Sequence, residues 1–318
     1  MTAATKKWTH DLNWLKPLAA AAVIVAAVAL LAHALSQYNP DDIVAAIGKI
    51  SGHRLVLGGL CAAGSYFCLT WFDWLGLRYV GKPLPYRRAA LASFTSLSIG
   101  HNIGFAGFSS GAIRYRFYTR WGLSLAQVAR LVVFSGVTVV LGLLTLGGVA
   151  ILARPQLAAE VIGLDRTGVL ALGVACLAVD ALYLAAAALG RGPVRVWRWS
   201  LDIPGLRVAM AQIALGAVNY AFVAGCLYNT MADISKEPYL SVATVYVLAN
   251  TAALVAHVPG GVGVIEGVVA VLLPGNPNIA AVLMFRALYY LMPLAIGGVL
   301  FALTELYWRG NRRRTARR

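Results

Sequence analysis

Charge is scarce in this chain, and acid is scarcer. Only 12% of the 318 residues are Asp, Glu, Lys or Arg, with 12 acids against 27 Lys and Arg. A soluble domain carries roughly 25% charged residues, so this chain is not built to face water over most of its surface. The four cysteines, Cys61, Cys68, Cys176 and Cys226, fall inside apolar runs without metal-ligand spacing. They imply neither a disulfide framework nor a metal site. There is no Gly-x-x-x-x-Gly-Lys phosphate loop, no Gly-x-Ser-x-Gly elbow and no His-Glu-x-x-His pattern. Those absences leave no cofactor, no metal and no catalytic motif to expect.

What is present is apolar. Hydrophobic residues make up 60% of the sequence, and the mean hydropathy is +0.73. The length would allow two soluble domains, but this composition places the chain in a membrane. The net charge of +15 could serve nucleic acid, yet the basic residues cluster between apolar runs. The reading is one polytopic membrane domain over 1–318 that binds no nucleic acid.

The organising stretch is Ala249 to Val271, ANTAALVAHVPGGVGVIEGVVAV, whose centre holds His257, Pro259, Gly260, Gly261 and Gly263. Proline removes a backbone donor and glycine lowers helix propensity, so an apolar run of spanning length should be broken here. Broken backbone at membrane depth persists only where protein or a wet cavity satisfies it, which makes the break a candidate binding site. Ser98 to Ser110, SIGHNIGFAGFSS, is a second interrupted segment and contains His101. His101 and His257 lie 156 positions apart, as do Arg130 and Arg286. Leu55 to Tyr79 and Arg207 to Met231 correspond at a similar offset, as do Pro17 to Leu35 and Gly168 to Leu189. Paired interrupted segments in corresponding halves point to a transporter-like site.

Topology follows from charge. Met1 to Lys16 is basic and leads into a first span, Pro17 to Leu35, too long for a secretory signal. Asn39 to Gly52 reads as interfacial, and Arg54 to Tyr79 is the second span. If Ala89 to Phe108 crossed the membrane, Arg114, Arg116 and Arg120 would lie outside; if it dips and returns, they stay inside, as the positive-inside rule favours. The remaining spans are then Ser124 to Leu152, Gly168 to Leu189, Arg207 to Met231 and Ile279 to Trp308, with a second dip from Tyr239 to Leu273. On this map 20 of the 27 Lys and Arg are cytoplasmic, 5 are outside and 2 are within the membrane. The expected fold is an all-α integral membrane protein of six full transmembrane helices plus two re-entrant helical hairpins, arranged as an inverted-topology repeat. Its halves are 17–152 and 168–308, and 309–318 is a basic cytoplasmic tail. Both termini are expected in the cytoplasm.

A charge at the bilayer centre costs at least about 2.5–3.5 kcal/mol, so each needs a partner or a wet cavity. The candidates are Asp73, Arg130, Asp180, Glu266, Arg286 and Glu305. Asp73 reads either as a functional acid or as an interfacial one paired with Arg78 or Arg130. Glu305 reads as interfacial. Glu266 follows the Pro-Gly-Gly break and begins a new half-helix, where the dipole stabilises a carboxylate. It reads either as locally stabilised, as neutralised by Arg286, or as a group that holds a cationic headgroup beside free amides. Arg114 and Arg116 carry the planar fork that suits phosphate, with plain positive-inside charge as the alternative. His101 and His257 read as proton carriers, as hydrogen-bond donors or as structural. Gly192 to Gly205, GPVRVWRWSLDIPG, reads as an interfacial helix or loop.

HVPGGVGVIEG and SSGAIRYRFYTRWGLS, with the membrane pattern, resemble the transmembrane domain of the lysylphosphatidylglycerol synthase/flippase family and its stand-alone membrane relatives over nearly the whole chain. The resemblance implies a bacterial cytoplasmic-membrane lipid flippase. Such a protein moves aminoacylated phosphatidylglycerol from the inner to the outer leaflet and so contributes to resistance against cationic antimicrobial peptides. It matches Pro259, Gly260, Gly261, Gly263 and Glu266 to the second re-entrant motif, and Gly111, Arg114 and Arg116 to the arginine motif after the first. Asp73 stands where the family carries an intramembrane acid. Bifunctional members continue into a cytosolic aminoacyl-tRNA-dependent synthase domain, whereas this sequence stops ten residues past Trp308. The chain is therefore expected to be the membrane half of a longer protein or a stand-alone relative, and not itself the synthase. Expected partners are a phospholipid, the membrane, such a synthase and a second copy in a homodimer. Two other classes stay open: a membrane-embedded headgroup transferase with Asp73 or Glu266 as base, and a non-transporting anchor for a lipid-modifying synthase.

Overall fold

The computed structural model describes residues 48–103, 106–190, 194–196, 199–201, 203–235, 237–256, 259–272 and 278–315, with Asp41 and Ala45. In chain order the helices are α1 (Gly52–Tyr79), α2 (Tyr86–Ile103), α3 (Ala106–Arg120), α4 (Leu125–Ala153), α5 (Pro155–Ile162), α6 (Arg166–Ala188) and α7 (Leu206–Met231). They continue with α8 (Tyr239–Ala256), α9 (Val264–Leu272), α10 (Asn278–Arg286) and α11 (Met292–Thr315). A 3-10 turn, Pro259–Gly261, precedes α9, and a π-helical stretch, Ala287–Leu291, joins α10 to α11. By length and composition α1, α4, α6, α7 and the run Ala280–Gly310 are each able to cross a membrane. Among the described residues the protein is an all-α integral membrane protein apart from one short ribbon. The expected first span, Pro17 to Leu35, lies outside the described residues.

Local sequence sets the helix ends. Ser124 and Gln127 form a reciprocal capping box that starts α4, satisfying two otherwise orphaned donors. Asp165 accepts the Gly168 amide at 3.1 Å to start α6. Pro155 opens α5, and Gly163 closes it at φ 73°, where a side chain would be strained. Beyond α7, Asp233 accepts the Ser51 amide at 2.8 Å and pairs with Arg54 at 3.5 Å. These ties join the first residues of α1 to the end of α7. Hydrogen bonds from Ser51 hold the Asp233 carboxyl below its usual range.

Within Gly192 to Gly205 the described residues include a short antiparallel ribbon rather than a helix. Val194–Val196 pairs antiparallel with Trp199–Leu201, with Val194 opposite Leu201. The alternation of Val, Arg and Trp has the period of a strand, and β-branched and aromatic residues fit a pleated surface.

The centre of the bundle is the contact between α1 and α7, the two helices paired by the sequence offset. Phe72, Leu227, Tyr246, Ile265 and Phe285 are fully buried around it. Glycines let α4 and α7 touch backbone to backbone: a Cβ on Gly216 would come within 2.6 Å of the Thr138 carbonyl and 2.8 Å of Gly142 Cα. Close approach at small residues is how membrane helices gain packing without a hydrophobic drive. Gly216→Val should therefore cost about 3 kcal/mol, the upper end of overpacking, because the obstacle is backbone and cannot rotate away. Gly59→Ala, whose Cβ meets nothing within 4 Å, should leave the unfolding midpoint of the detergent-purified protein unchanged. A Gly216→Val protein as stable as wild type would show that the contact can open at little cost.

The expected last span, Ile279 to Trp308, contains a defect that the hydropathy did not reveal. The Met292 amide bonds to the Ala287 carbonyl, five residues back. Pro293, one residue on, has no amide to offer and its ring crowds the carbonyl four residues before it, so the ladder widens. The carbonyls released are taken by neighbours: Tyr289 O accepts the Tyr66 hydroxyl at 3.3 Å, and Tyr290 O accepts Asn102 Nδ2 at 3.3 Å. The π stretch thereby presses Tyr289 and Tyr290 into the centre of the molecule.

Candidate functional site

The interrupted helices meet at a cavity of about 430 Å³. Its lining comes from α1 (Leu69, Phe72), α2 (Leu97, His101), α3 (Gly107, Ser110, Arg114), α4 (Val132, Ser135, Gly136, Val139), α7 (Asn219, Tyr220) and α8 (Tyr246, Asn250, Ala253, Leu254). Gly260 and Gly261 of the 3-10 turn and Tyr289 and Tyr290 of the π stretch complete it. Such a mostly apolar chamber with a few convergent polar groups is the form that small-ligand sites take.

The first break is narrower than the glycines of Ser98 to Ser110 imply. Helix α2 continues to Ile103 and α3 begins at Ala106, so His101 and Asn102 are helical rather than part of an open loop. The Ser109 hydroxyl ties the two ends together by donating to the Gly100 carbonyl at 3.1 Å, while within α2 Asn102 Nδ2 donates to the Ser98 carbonyl at 2.8 Å. Gly100 lets α2 and α3 approach closely, since a Cβ there would lie 2.8 Å from that of Ser110. The second break is where proline and glycine place it. Helix α8 ends at Ala256, and Gly260, Gly261 and Gly263 take φ of 58°, 63° and 80°, values that side chains rarely tolerate.

At the edge of the cavity Arg114 and Asp73 form a buried pair. Arg114 Nε donates to the two Asp73 oxygens at 3.1 and 2.9 Å, and its Nη2 donates to Oδ1 at 2.7 Å. Arg114 Nη1 reaches the Ser110 hydroxyl at 3.0 Å. The carboxylate also accepts the Tyr118 hydroxyl at 2.7 Å and the Ser135 hydroxyl at 3.4 Å. Asp73 is 0% and Arg114 2% exposed. Asp73 therefore pairs with neither Arg78 nor Arg130: Arg78 lies over the Trp74 ring at 3.4 Å, and Arg130 is exposed.

Arg286 serves the second break. Its Nε and Nη2 hold the Glu266 carboxylate, Nη2 to Oε2 at 2.9 Å. Nη1 and Nη2 donate to the Gly260 and Gly261 carbonyls at 2.8 and 2.9 Å. Glu266 Oε2 accepts the Gly263 amide at 2.9 Å. One arginine and one glutamate thus satisfy backbone groups that the interruption orphans, at both ends of the turn.

Three other charged residues singled out in the sequence stand away from the cavity. Arg116 binds Glu305 through Nε and Nη2, each at 2.5 Å, and Glu305 also approaches Arg120 at 3.7 Å. Glu305 is only 6% exposed, so it is a buried partner rather than a simple interfacial acid. Asp180 sits between α6 and α4, where Oδ2 accepts the Thr145 hydroxyl at 2.7 Å and Oδ1 has no partner among the described residues. His257 lies outside the described residues. The sequence reading missed Ser135, Asn219, Tyr220, Tyr246, Asn250, Tyr289 and Tyr290. Asn219 and Asn250 carried a usable signal, since an amide in a spanning helix must find a partner or a cavity.

Comparison with known proteins points to one family. The family profile described as lysylphosphatidylglycerol synthase TM region matches residues 18–297. The uncharacterised protein slr0712 of Synechocystis is 28% identical over 298 residues, covering 92% of each chain. The inner membrane protein YbhN of Escherichia coli is 27% identical over 278 residues, 85% of this chain and 82% of its own. A phosphatidylglycerol lysyltransferase of Staphylococcus haemolyticus is 22% identical over 296 residues, 91% of this chain but 34% of its own. With five helices among the described residues fit to cross a membrane and a family match over most of its length, this multi-pass membrane protein belongs to the lysylphosphatidylglycerol synthase transmembrane-region family.

Proposed function

We propose that the chain is a lipid flippase. It carries a phospholipid with an aminoacylated, lysylphosphatidylglycerol-like headgroup from the inner to the outer leaflet of a bacterial cytoplasmic membrane, and so reduces the attraction of cationic antimicrobial peptides. The observation that carries this reading is the cavity of about 430 Å³ where the two interrupted helix pairs meet, edged by the buried Arg114. A chamber of that size suits a headgroup, while acyl chains stay in the bilayer.

The charges fit a passenger that carries both a phosphodiester and an ammonium. Arg114 offers a planar fork to a phosphodiester, and the Asp73 carboxylate that it releases takes the ammonium. One ion pair is exchanged for two, which offsets part of the cost of charge in a low dielectric. The repeat offset of 156 positions and the packing of α1 on α7 support two inverted halves, with α2–α3 and α8–α9 as re-entrant hairpins. The sequence holds no phosphate-loop motif, so net delivery runs on a gradient or on synthesis of the lipid at one face. A cytosolic aminoacyl-tRNA-dependent synthase would supply it.

Gly136 offers the test. It lines the cavity, and a Cβ there meets nothing within 4 Å, so Gly136→Trp fills the chamber without pushing on backbone. In liposomes, the wild type should speed access of labelled lysylphosphatidylglycerol to an impermeant quencher by about tenfold, ~1.4 kcal/mol of barrier. Gly136→Trp should fall to the rate of empty vesicles at an unchanged unfolding midpoint. A wild-type rate equal to that of empty vesicles, with anionic and zwitterionic lipids alike, rejects the flippase reading.

A further inference from the structure

The cavity holds hydrogen-bonding capacity that neither ion pair uses. Asn250, on α8, accepts the Tyr246 hydroxyl at 3.4 Å through Oδ1, which orients its amide. Its Nδ2 is buried beside the Tyr220 hydroxyl but makes no hydrogen bond of acceptable geometry among the described residues. His101 Nδ1, on α2, is likewise buried and has none among them. Both residues line the same chamber. Groups left in this state cost free energy until an occupant supplies the missing partner.

The chemistry of that partner follows from what surrounds it. Asp73 is engaged by Arg114 and Glu266 by Arg286, so an ammonium finds no carboxylate there without first displacing an arginine. A hydroxyl needs no displacement. It accepts from the Asn250 amide, and it meets His101 Nδ1 in either tautomer because it both donates and accepts. The walls add ring faces: Tyr289 and Tyr290 contact edge to face at 5.1 Å, and Tyr220 stands 6.4 Å from Tyr246. The Tyr289 hydroxyl is held by Ser65 at 3.1 Å, so that ring is fixed in place. Rigid aromatic faces beside a few fixed neutral polar groups suit the C–H and O–H surfaces of a polyol.

We propose that this cavity reads the polyol of the headgroup, a glycerol or a comparably hydroxylated group, through Asn250 and His101. Phospholipids that carry hydroxyls are thereby selected over those whose headgroup ends in an ammonium alone. The proposal deepens the flippase reading and rests on it for the lipid nature of the ligand.

The test uses the full chain purified in detergent, where leaflets do not exist. Its thermal unfolding is followed against dioctanoyl phosphatidylglycerol, phosphatidylethanolamine and phosphatidylcholine, and against chain-free glycerophosphoglycerol. Phosphatidylglycerol should stabilise the protein at concentrations where the other two lipids do not. Asn250→Leu, and separately His101→Phe, should weaken that binding about fivefold, the equivalent of one ~1 kcal/mol hydrogen bond. Equal stabilisation by phosphatidylethanolamine, or wild-type affinity in Asn250→Leu, overturns the proposal. If neither variant folds, the wild-type selectivity decides alone. Stabilisation by glycerophosphoglycerol equal to that by the lipid keeps the polyol and removes the lipid. Selective binding without movement in vesicles keeps this inference and sinks the flippase reading.

Discussion

Asp73→Asn should be the most damaging single substitution of a polar residue in this protein, lowering stability by about 3–5 kcal/mol, the usual cost of leaving one member of a buried pair without its counter-charge. Arg114 is 2% exposed and makes three of its hydrogen bonds to Asp73. An amide in place of the carboxylate leaves the guanidinium charged and undersolvated. The Tyr118 hydroxyl loses a charged acceptor as well. The double variant Asp73→Asn/Arg114→Gln should recover most of the loss, because a neutral polar pair of similar volume carries no bare charge. Unfolding midpoints in detergent give the stability of each. Exchange of the ion pair for a headgroup further requires that the recovered double variant not move lipid. A double variant that transports at the wild-type rate would make the pair structural only.

Arg286→Lys should open the second break with little effect on the rest of the fold. The guanidinium spans the Glu266 carboxylate and two carbonyls at once, a planar bracing that one ammonium on a flexible stem cannot reproduce. Charge-assisted hydrogen bonds contribute about 1.5–3 kcal/mol each. Losing two should raise amide exchange over Gly260 to Glu266 by roughly 100-fold or more, and should depress lipid movement to a similar degree. Glu266→Gln retains an acceptor for the Gly263 amide, yet it strips Arg286 of its counter-charge, so delivery should be lost while the protein still accumulates. Hydrogen exchange resolved along the chain separates the outcomes. An Arg286→Lys protein with wild-type protection across the break would show that the turn holds without its clamp.

These effects concern one feature that the sequence displays openly and another that it conceals. Pro259 with Gly260, Gly261 and Gly263 announces the break, because proline and glycine act on their own backbone wherever the fold puts them. Apolar runs of about 20 residues announce spans for the same reason: their length and lack of charge suit a bilayer before any packing exists. The Glu266–Arg286 pair was one of three readings open to Glu266, since Arg286 falls on the next helix after a short connection. The Asp73–Arg114 pair was not among the readings of Asp73. Arg78 and Arg130 stood in better apparent positions, in the same helix and in the next span. Partner choice depends on which way each helix face turns, at about 100° per residue, and no local pattern fixes that rotation. Arg130 and Arg286 make the same point, for they share the 156-residue offset, yet one is exposed and the other buried.

The amino-acid sequence alone determined that this chain lies in a membrane as apolar helices, that Pro259 to Gly263 interrupts one of them, and which family it resembles. Each of these rests on local backbone chemistry or on composition. Tertiary structure alone decided that Asp73 holds Arg114, and that Pro293 widens the last span into a π stretch whose freed carbonyls bind Tyr66 and Asn102. It also brought Asn250 and His101 to one cavity from helices that begin more than 150 residues apart. Those outcomes depend on how helices rotate and press against one another, and only the packed bundle sets that.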